Sequence, residues 1–457
     1  MSREKRFHPL AALHLLRKTL LVYLLPLVQV LFDRNWDALR AALRQELVLL
    51  FFISAVCWAV YYGGRWQVDA EGTVHVSWRL GVRLDRALRA EGLAALILEQ
   101  PLLYRLTGAC RVVLYPVGQT KTITLYLTRQ QAEALADVLL PVTDPLWHAP
   151  KGGEKLAFAV LGANGLSTLF LWWLAIHQTQ SYAPDAQTAA LAQLGQLAAF
   201  AARWLPLGTA WLLVLAGTLF CISLVRSALQ AVHYTVWRTD TQLGSRGGWL
   251  SRFEFRVRSS EISYADVRVS PIARLMKRWP VFVVAGSCRP ELPLFVYRSG
   301  QEELFRELLP EFRMPPDTRH DLTHRSAVFF APAGIPFGLC LLLVLVSRSV
   351  LPALTGTLLI PTAVFAVFLA GGLMGWLKEG IWLREGRFTL RRQKGVYLHC
   401  ICVFHPDVCL RTFQSPWAAR YQRMTLTLAL PGQVRLKVRS IPVRDAAPCL
   451  NALEQKT

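Results

Sequence analysis

The chain has 457 residues, 53% of them hydrophobic, and a formal net charge of +21 at pH 7. Its mean hydropathy of +0.32 is too high for a soluble protein of this length. Membrane proteins commonly carry such a basic excess in their cytoplasmic loops, and no basic helix or binding motif favours a nucleic-acid partner instead. Composition therefore predicts a membrane protein that binds no nucleic acid.

Long apolar runs support this prediction, because a helix needs about 20 apolar residues to cross a hydrocarbon core about 30 Å thick. In chain order the runs are Thr19–Phe32, Leu47–Tyr62, Leu156–Ile176, Trp204–Val225, Ala327–Val346 and Leu354–Leu377. The first run is short and contains Pro26. The sequence thus predicts six spans, or five spans and a re-entrant segment.

Strand-rich polar regions alternate with these runs. The predicted domains are an N-terminal segment with a first membrane hairpin (1–64), module 1 (65–144), a second hairpin (155–226), module 2 (230–313), a third hairpin (326–377) and module 3 (378–457). The predicted unit is two transmembrane helices followed by an antiparallel β domain with a C-terminal helix. Because the order of elements recurs, we expect three copies of this unit.

Module 1 shows its elements most clearly. The stretch WQVDAEGTVHVSWRLGVRL alternates in polarity and predicts strands that turn at Glu71-Gly72 and near Gly81. Thr122–Leu127 predicts a further strand. Thr128 and Gln131 then have capping-box spacing ahead of a helix that closes the module.

Modules 2 and 3 follow the same order. In module 2, Phe295–Tyr297 predicts a strand, and Ser299 and Glu302 repeat the capping-box spacing ahead of a helix over Leu304–Leu309. Module 3 is predicted to end in a helix from about residue Asp445, its N-cap. Each module is therefore expected to be an antiparallel sheet with one terminal helix.

One strand–turn–strand stretch recurs in all three modules. Its copies read LILEQPLLYRLTGACRVVLY, VRVSPIARLMKRWPVFVVA and LRTFQSPWAARYQRMTLTLAL. A proline anchors each copy, and an arginine follows three or four residues later: Pro101 and Arg105, Pro271 and Arg274, Pro416 and Arg420. Proline cannot donate to a sheet ladder, so each one marks the end of a strand and the start of a turn.

The distribution of lysine and arginine predicts the orientation. Met1–Lys18 and the modules are rich in arginine, whereas the connection His177–Ala202 contains neither lysine nor arginine. We expect the modules and both termini to be cytoplasmic and that connection to lie outside, with Gln193–Ala202 extending the fourth span. The nine scattered cysteines fit reduced thiols that face the cytosol.

The pattern WQVDAEGTVHVSWRLGVRL, then LILEQPLLYRLTGACRVVLY, then a helix, resembles the second type of bacterial pleckstrin-homology-like domain. The three-copy arrangement and the opening RFHPLAALHLLRKTLLVYLLPL resemble the YdbT-like membrane proteins of that family. The resemblance implies a bent antiparallel sheet capped by a C-terminal helix, a bacterial plasma membrane location and no established enzymatic activity. It supplies no functional residues.

A basic set of residues around the recurrent stretch is the candidate lipid- or partner-facing surface. These residues are Arg105, Arg111, Arg274, Lys277, Arg278 and Arg420. Cations close to a membrane span are attracted to anionic headgroups, each by about 1 kcal/mol. The alternative is a solvated basic surface that has no specific ligand.

His399, Cys400, Cys402, His405 and Cys409 carry the ligand types that zinc prefers. No C-x₂-C pair accompanies them, and in a strand Cys400 and Cys402 point to one face while His399 points to the other. We interpret them as packed strand residues and expect no metal and no cofactor. The usual catalytic motifs do not occur either, so we predict no enzymatic activity.

Three functions remain open from the sequence. The favoured one is a non-enzymatic membrane protein whose modules bind another membrane protein, one with the same module. Tethering three modules in one chain would let weak contacts add up to strong avidity. The alternatives are recognition of anionic lipid by the basic module faces, and transport through the helical bundle.

Overall fold

The computed structural model describes residues 4–11, 48, 51–59, 61–69, 71–80, 82–119, 121–162, 184–203, 207–290, 292–312, 327–384, 387–394, 397–403, 409–430, 434–444 and 446–447. Antiparallel sheets and apolar helices make up most of this part of the chain. The predicted combination of antiparallel β structure with apolar helices is therefore confirmed.

The helices lie between and within the modules. In chain order they are α1 (Phe51–Gly63), α2 (Leu102–Leu106), α3 (Arg129–Leu139), α4 (Gly152–Gly162), α5 (Pro184–Ala201), α6 (Leu207–Ala231), α7 (Pro271–Met276), α8 (Glu303–Leu308), α9 (Ala327–Val350), α10 (Pro352–Lys378) and α11 (Pro416–Arg420).

The strands fall into three successive groups. The first is β1 (Lys5–Arg6), β2 (Gly64–Val68), β3 (Val74–Leu80), β4 (Val82–Leu88), β5 (Leu93–Gln100), β6 (Ala109–Pro116) and β7 (Ile123–Thr128). The second is β8 (Leu146–His148), β9 (Thr235–Arg238), β10 (Gln242–Gly247), β11 (Arg252–Arg258), β12 (Tyr264–Val269), β13 (Arg278–Val284) and β14 (Phe295–Arg298). The third is β15 (Gly380–Arg384), β16 (Arg387–Lys394), β17 (Tyr397–Val403), β18 (Cys409–Phe413), β19 (Arg423–Leu430) and β20 (Val434–Pro442).

Within the described residues, three helices are long and apolar enough to cross a membrane. The apolar stretches are Val214–Ala231 in α6, Ala333–Val350 in α9 and Leu354–Leu373 in α10. Most of their residues are not buried by protein, as a lipid-facing surface requires. Helix α1 is a shorter apolar helix. Thr19–Phe32 lies outside the described residues, as does 163–176 of the third run, so the total of six spans stays a prediction.

The helices pack in pairs that follow the chain. Helix α4 contacts α6, and α9 contacts α10 across a tight connection. Helix α10 also contacts α6, which joins the two pairs. The connection His177–Ala202 contains α5, which packs on α6 and begins before the extension predicted from Gln193. Four of the nine residues from Pro184 to Ala192 are alanine, the strongest helix former, and Pro184 occupies the first helical position, where it is tolerated.

The recurrent proline stretch forms a short helix between two strands in each module. Helices α2, α7 and α11 begin at or just after the three anchoring prolines, where the missing N–H costs no hydrogen bond. Each helix is followed by a residue with positive φ: Gly108 at 71°, Lys277 at 52° and Gln422 at 52°. This left-handed residue ends the helix and directs the chain into the next strand.

The two capping predictions have different outcomes. The Thr128 hydroxyl accepts from the Gln131 N–H while the Gln131 side chain accepts from the Thr128 N–H, so the capping box of α3 is confirmed. The box predicted at Ser299 and Glu302 is wrong. Gly300 has φ +81° in a turn, and α8 begins only at Glu303 without a side-chain cap.

The end of module 3 is described only in part. Residues 443–444 and 446–447 are helical, so the terminal helix starts before the predicted N-cap, and Asp445 itself lies outside the described residues.

Strand pairing does not follow the boundaries of the modules. The first sheet has the order β1-β2-β3-β4, and the last has the order β18-β19-β20. Between them lie a seven-stranded sheet, β7-β6-β5-β11-β10-β9-β8, and a six-stranded sheet, β14-β13-β12-β17-β16-β15. The second half of each of the first two modules thus shares a sheet with the first half of the next module.

Candidate interaction surfaces

The first junction joins module 1 to module 2 through β5 and β11. These strands pair antiparallel from Gln100 opposite Arg252 to Ala95 opposite Val257. Ala95 and Val257 are both fully buried. Because an antiparallel ladder satisfies the backbone groups of both strands, this junction leaves neither strand with an open edge.

A buried arginine ties the first junction to helix α3. The Arg256 Nη1 atom of β11 donates to Asp137 Oδ1 and to the Leu140 carbonyl, each at 2.8 Å, and its Nε donates to Glu254 Oε1 at 2.7 Å. Its side chain is only 8% exposed. Arg258 Nη2 adds a bond to the Ala90 carbonyl of module 1. Module 2 therefore supplies charge-assisted donors to the end of module 1.

The second junction joins module 2 to module 3 through β12 and β17, from Ala265 opposite Cys402 to Val269 opposite Leu398. Asp266 is buried there, 2.9 Å from both His399 Nδ1 and Arg268 Nε. Burial by itself raises the pKa of Asp266. The hydrogen bonds and charges of His399 and Arg268 together lower it by more, so the net pKa lies below its ordinary value. The carboxylate is thus ionised at neutral pH.

Module 2 builds its core with residues of both neighbours. The largest hydrophobic cluster contains Ala94 and Ala95 from β5, and Leu398, Cys400 and Cys402 from β17. All five are buried against side chains of module 2. The junctions are therefore part of the folded core, and removing either neighbour would expose apolar surface of module 2.

Strands β4 and β18, in the places that β11 and β5 hold at the first junction, are outer strands of the first and last sheets. Among the residues that the structure describes, no strand pairs with the outer edge of β4 in module 1 or of β18 in module 3. Asp85, Arg86 and Ala87 of β4 are exposed, and Phe413 of β18 is 68% exposed. An open edge presents backbone N–H and C=O groups that can bind another strand.

The basic residues singled out from the sequence do not form one surface. Arg111 Nη1 lies 2.9 Å from Glu99 Oε2 on the neighbouring strand. Arg278 Nη1 lies 3.6 Å from Glu154 Oε1 near the start of α4. These two arginines are engaged by carboxylates of the same chain, which weakens their attraction for an external anion.

The remaining members of the set lie on or beside the three short helices. Arg105 on α2 donates to the Trp249 carbonyl of module 2. Arg274 is half-buried on α7, Lys277 is exposed directly after it, and Arg420 is exposed at the end of α11. The structure therefore distributes them over three modules, and only Arg105 reaches across a junction.

A groove of about 470 Å³ lies at the first junction, beside α2. Its charged lining comes from both modules: Arg105, Arg129, Glu133, Arg246, Arg252 and Glu254. Both carboxylates are already engaged, Glu133 by Arg129 and Glu254 by Arg256, so the groove carries a net positive charge. Sequence reasoning missed it, although the Gly247–Gly248 turn between two arginine-bearing strands was a usable signal.

A thiol also lines this groove, from strand β6. Burial raises the pKa of Cys110 to about 12. At neutral pH the group is therefore a protonated thiol and a weak nucleophile.

The residues weighed as zinc ligands are dispersed. The His399 ring is hydrogen-bonded to Asp266. Cys400 and Cys402 are buried in the second junction, whereas Cys409 is exposed on β18. His405 lies outside the described residues. Within the described residues, no group of three or more His, Cys, Asp or Glu side chains is arranged to hold a metal ion.

The candidate surfaces are therefore the open edges of β4 and β18 and the basic groove at the first junction. Comparison with protein-family models, with curated proteins and with solved structures finds no match to this chain.

Proposed function

We propose that this chain is a non-enzymatic, multi-pass protein of the bacterial plasma membrane that assembles a membrane complex. In this proposal the chain is three repeats of two transmembrane helices followed by a pleckstrin-homology-like module. The modules lie on the cytoplasmic side with both termini, and they bind another membrane protein that carries the same kind of module.

The observation that carries this proposal is strand sharing between modules. Modules of this chain already bind one another by pairing a strand of one with a strand of the next, at β5–β11 and at β12–β17. In the corresponding places at the two ends, β4 and β18 have no strand along their outer edge within the described part of the chain. A module of a second protein is the complementary partner for such an edge, by β-strand addition.

The positions of the apolar helices support the proposed arrangement. Helix α6 leads within a few residues into β9, and α10 leads into β15, so a candidate span ends where modules 2 and 3 begin. The Gly248 and Trp249 N–H groups of the β10–β11 turn donate to carbonyls at the end of α6. These modules thus sit directly against the ends of apolar helices.

Photo-crosslinking in intact membranes tests the assembly function. A photoreactive amino acid in place of Arg86 on β4, or of Thr412 on β18, should give a protein adduct that mass spectrometry identifies as a membrane protein. The same group in place of Gln130, which is exposed on α3, is the matched control and should give none. Absence of adducts from both edge positions would overturn the proposal.

The orientation is tested separately with an impermeant thiol reagent. A cysteine in place of Gln187 should react from outside intact cells, whereas a cysteine in place of Gly118 should react only after lysis. The reverse labelling would place the modules outside the cell.

A second candidate function is the binding of anionic lipid at the first junction. The specific observation is that the net-positive groove lies beside the β10–β11 turn, where Trp249 is 58% and Leu250 is 41% exposed next to the end of α6. Apolar side chains flanked by arginines suit the boundary between headgroups and acyl chains.

This candidate predicts dependence on lipid charge. The full chain in nanodiscs should retain anionic lipid over neutral lipid, and Arg105→Ala with Arg252→Ala should reduce that preference. Added salt should reduce it as well, because partly exposed charges are screened. An unchanged lipid preference in the double variant would exclude the groove.

A further inference from the structure

The two internal junctions define equivalent positions in the three modules. In the first half of module 1, Val74 pairs with both Val68 and Leu88; in module 2, Leu243 pairs with both Arg238 and Val257. Leu88 on β4 therefore occupies the place of Val257 on β11. The following 3₁₀ helices, Ala90–Gly92 and Ser259–Glu261, begin one residue after Arg89 and Arg258 and support this alignment.

The second halves are aligned by their prolines. Ala95, Ala265 and Leu410 each lie six residues ahead of the proline that anchors their module. At the first junction Ala95 is opposite Val257, and at the second Ala265 is opposite Cys402. The third residue of this set, Leu410 on β18, has no cross-junction partner among the described residues, and neither does Leu88 on β4.

Both internal junctions place two buried apolar residues at this position. Ala95, Val257, Ala265 and Cys402 are each at most 1% exposed. Leu88 is 6% exposed, and Leu410 is partly buried against the core of module 3. The side chains of both residues thus already point toward the cores that a shared sheet would continue.

The charges of the two open edges are also compatible. With Leu88 opposite Leu410, the register places Ala87 opposite Arg411, Arg86 opposite Thr412, and Asp85 opposite Phe413. Arg411 then lies diagonal to both Asp85 and Arg89 on one face, so one opposite and one like charge offset each other there. Arg86 faces a neutral threonine, so no two like charges are directly opposite.

We propose that β4 of one copy pairs antiparallel with β18 of a second copy in this register. The inference rests on the proposed assembly function and names its partner as a second copy of this chain. The contact uses a different surface on each copy, so head-to-tail addition closes into a ring or continues as a filament. Every module would then share both of its halves with a neighbour.

Disulfide trapping in membranes tests the register. Ala87→Cys is placed in one tagged copy and Arg411→Cys in a copy with a different tag, both carrying Cys409→Ser to remove the exposed thiol next to position 411. Directly opposite residues on antiparallel strands have Cα atoms about 4.5–5.5 Å apart, within the range that a disulfide spans. Mild oxidation should give a dimer that carries both tags.

The control is a pair shifted by two residues, Ala87→Cys with Phe413→Cys. These diagonal positions lie about 7–8 Å apart, beyond disulfide reach. The amount of mixed-tag dimer should fall to the level seen when only one of the two copies carries an introduced cysteine. All four replaced side chains, with Cys409 included, are exposed, so an unchanged thermal midpoint for each variant verifies that the fold is retained.

Each outcome is decisive. A mixed-tag dimer from the in-register pair alone supports copy-to-copy pairing, while equal dimer from both pairs indicates random collision and overturns it. No mixed-tag dimer overturns it too. If photo-crosslinking at Arg86 or Thr412 still captures a different membrane protein, the assembly function stands and only the identity of the partner is wrong.

Discussion

Strands β11 and β4 hold the same place in consecutive modules but have different surroundings. On β11, Phe255 and Val257 are buried because β5 of module 1 covers the strand edge. On β4, Asp85, Arg86 and Ala87 are exposed, and no described strand covers the edge. Leu88 on β4 is nevertheless buried, as Val257 on β11 is. The covering strand therefore decides burial at the position that Phe255 and Arg86 share, and not along the whole strand.

The first and third copies of the recurrent stretch show a similar contrast. Leu98 on β5 is 6% exposed, whereas Phe413, which lies three residues before Pro416 as Leu98 does before Pro101, is 68% exposed. A large apolar side chain on an open edge is unusual for a monomer, because edges are commonly protected by charge or proline. We therefore regard the contrast as functional and expect it to respond to substitution.

The largest effect is expected from truncating these two equivalent residues. Leu98→Ala should lower the free energy of unfolding by about 3 kcal/mol, because it leaves a cavity in the core of module 1. Phe413→Ala should change it by less than about 0.5 kcal/mol in the monomer, since the ring is exposed. Thermal unfolding in mild detergent measures both. Similar losses for the two variants would contradict the contrast between paired and open strands.

Arg256→Ala should break the first junction. The loss removes the Arg256 donor from Glu254 and from the Leu140 carbonyl, and hydrogen bonds to a charged group are worth about 1.5–3 kcal/mol. Hydrogen exchange should accelerate in β5 and β11 but not in β12 and β17. Arg86→Ala, which removes an exposed arginine from β4, is the matched control and should leave exchange unchanged. Uniform acceleration across all sheets would mean that the junctions do not open separately.

The second junction should depend on pH. Asp266 has a folded-state pKa below its ordinary value of 3.8. Its contribution is therefore fully present above that value and is lost as the pH falls through the lower, folded-state pKa. At pH 7, Asp266→Asn should cost about 1–2 kcal/mol, because a neutral amide forms weaker bonds with Arg268 and His399 than the carboxylate does.

The test compares the thermal midpoints of the protein and the Asp266→Asn variant between pH 7 and pH 3. The two midpoints should converge as the pH falls below about 4. A difference that stays constant over this range would show that the carboxylate charge does not stabilise the junction.

The smallest effect on stability is expected from Arg411→Ala on β18. The side chain is exposed, so the free energy of unfolding of the monomer should change by less than about 0.5 kcal/mol. Pairing between copies should persist as well, because Arg411 is opposite Ala87 in the proposed register and is diagonal to one acidic and one basic side chain; the mixed-tag dimer trapped through Arg86→Cys and Thr412→Cys measures it. A loss of monomer stability would show that the Arg411 side chain is engaged within its own copy.

Part of the fold was readable because its signals are local. The turn at Glu71-Gly72, the capping box at Thr128 and the strand at Phe295–Tyr297 depend on residues close in sequence, and the structure contains all three. The capping box at Ser299 failed for a local reason as well. A glycine with positive φ at position 300 forms a turn where the spacing alone suggested a helix.

The candidate surfaces were harder to predict. Arg105, Arg111 and Arg278 are alike as members of a basic set, but one bonds to a carbonyl of module 2 and the other two lie beside carboxylates. Those partners are distant in sequence or on another strand, and a single sequence does not identify them. Asp266 and His399 illustrate the same limit, since they meet only because β12 pairs with β17.

Alternating strands, apolar helices and the recurring proline stretch could be predicted from residues close in sequence, because polarity period and backbone restrictions act over a few residues. Which strands share a sheet depends on tertiary contacts. Alternation of polar and apolar residues with a period of two predicts that one face of a strand is buried. It does not predict which other strand will pair with its edge. Backbone hydrogen bonding is nearly independent of side-chain identity, so the choice between β5–β11 pairing and pairing within a module depends on how whole modules pack.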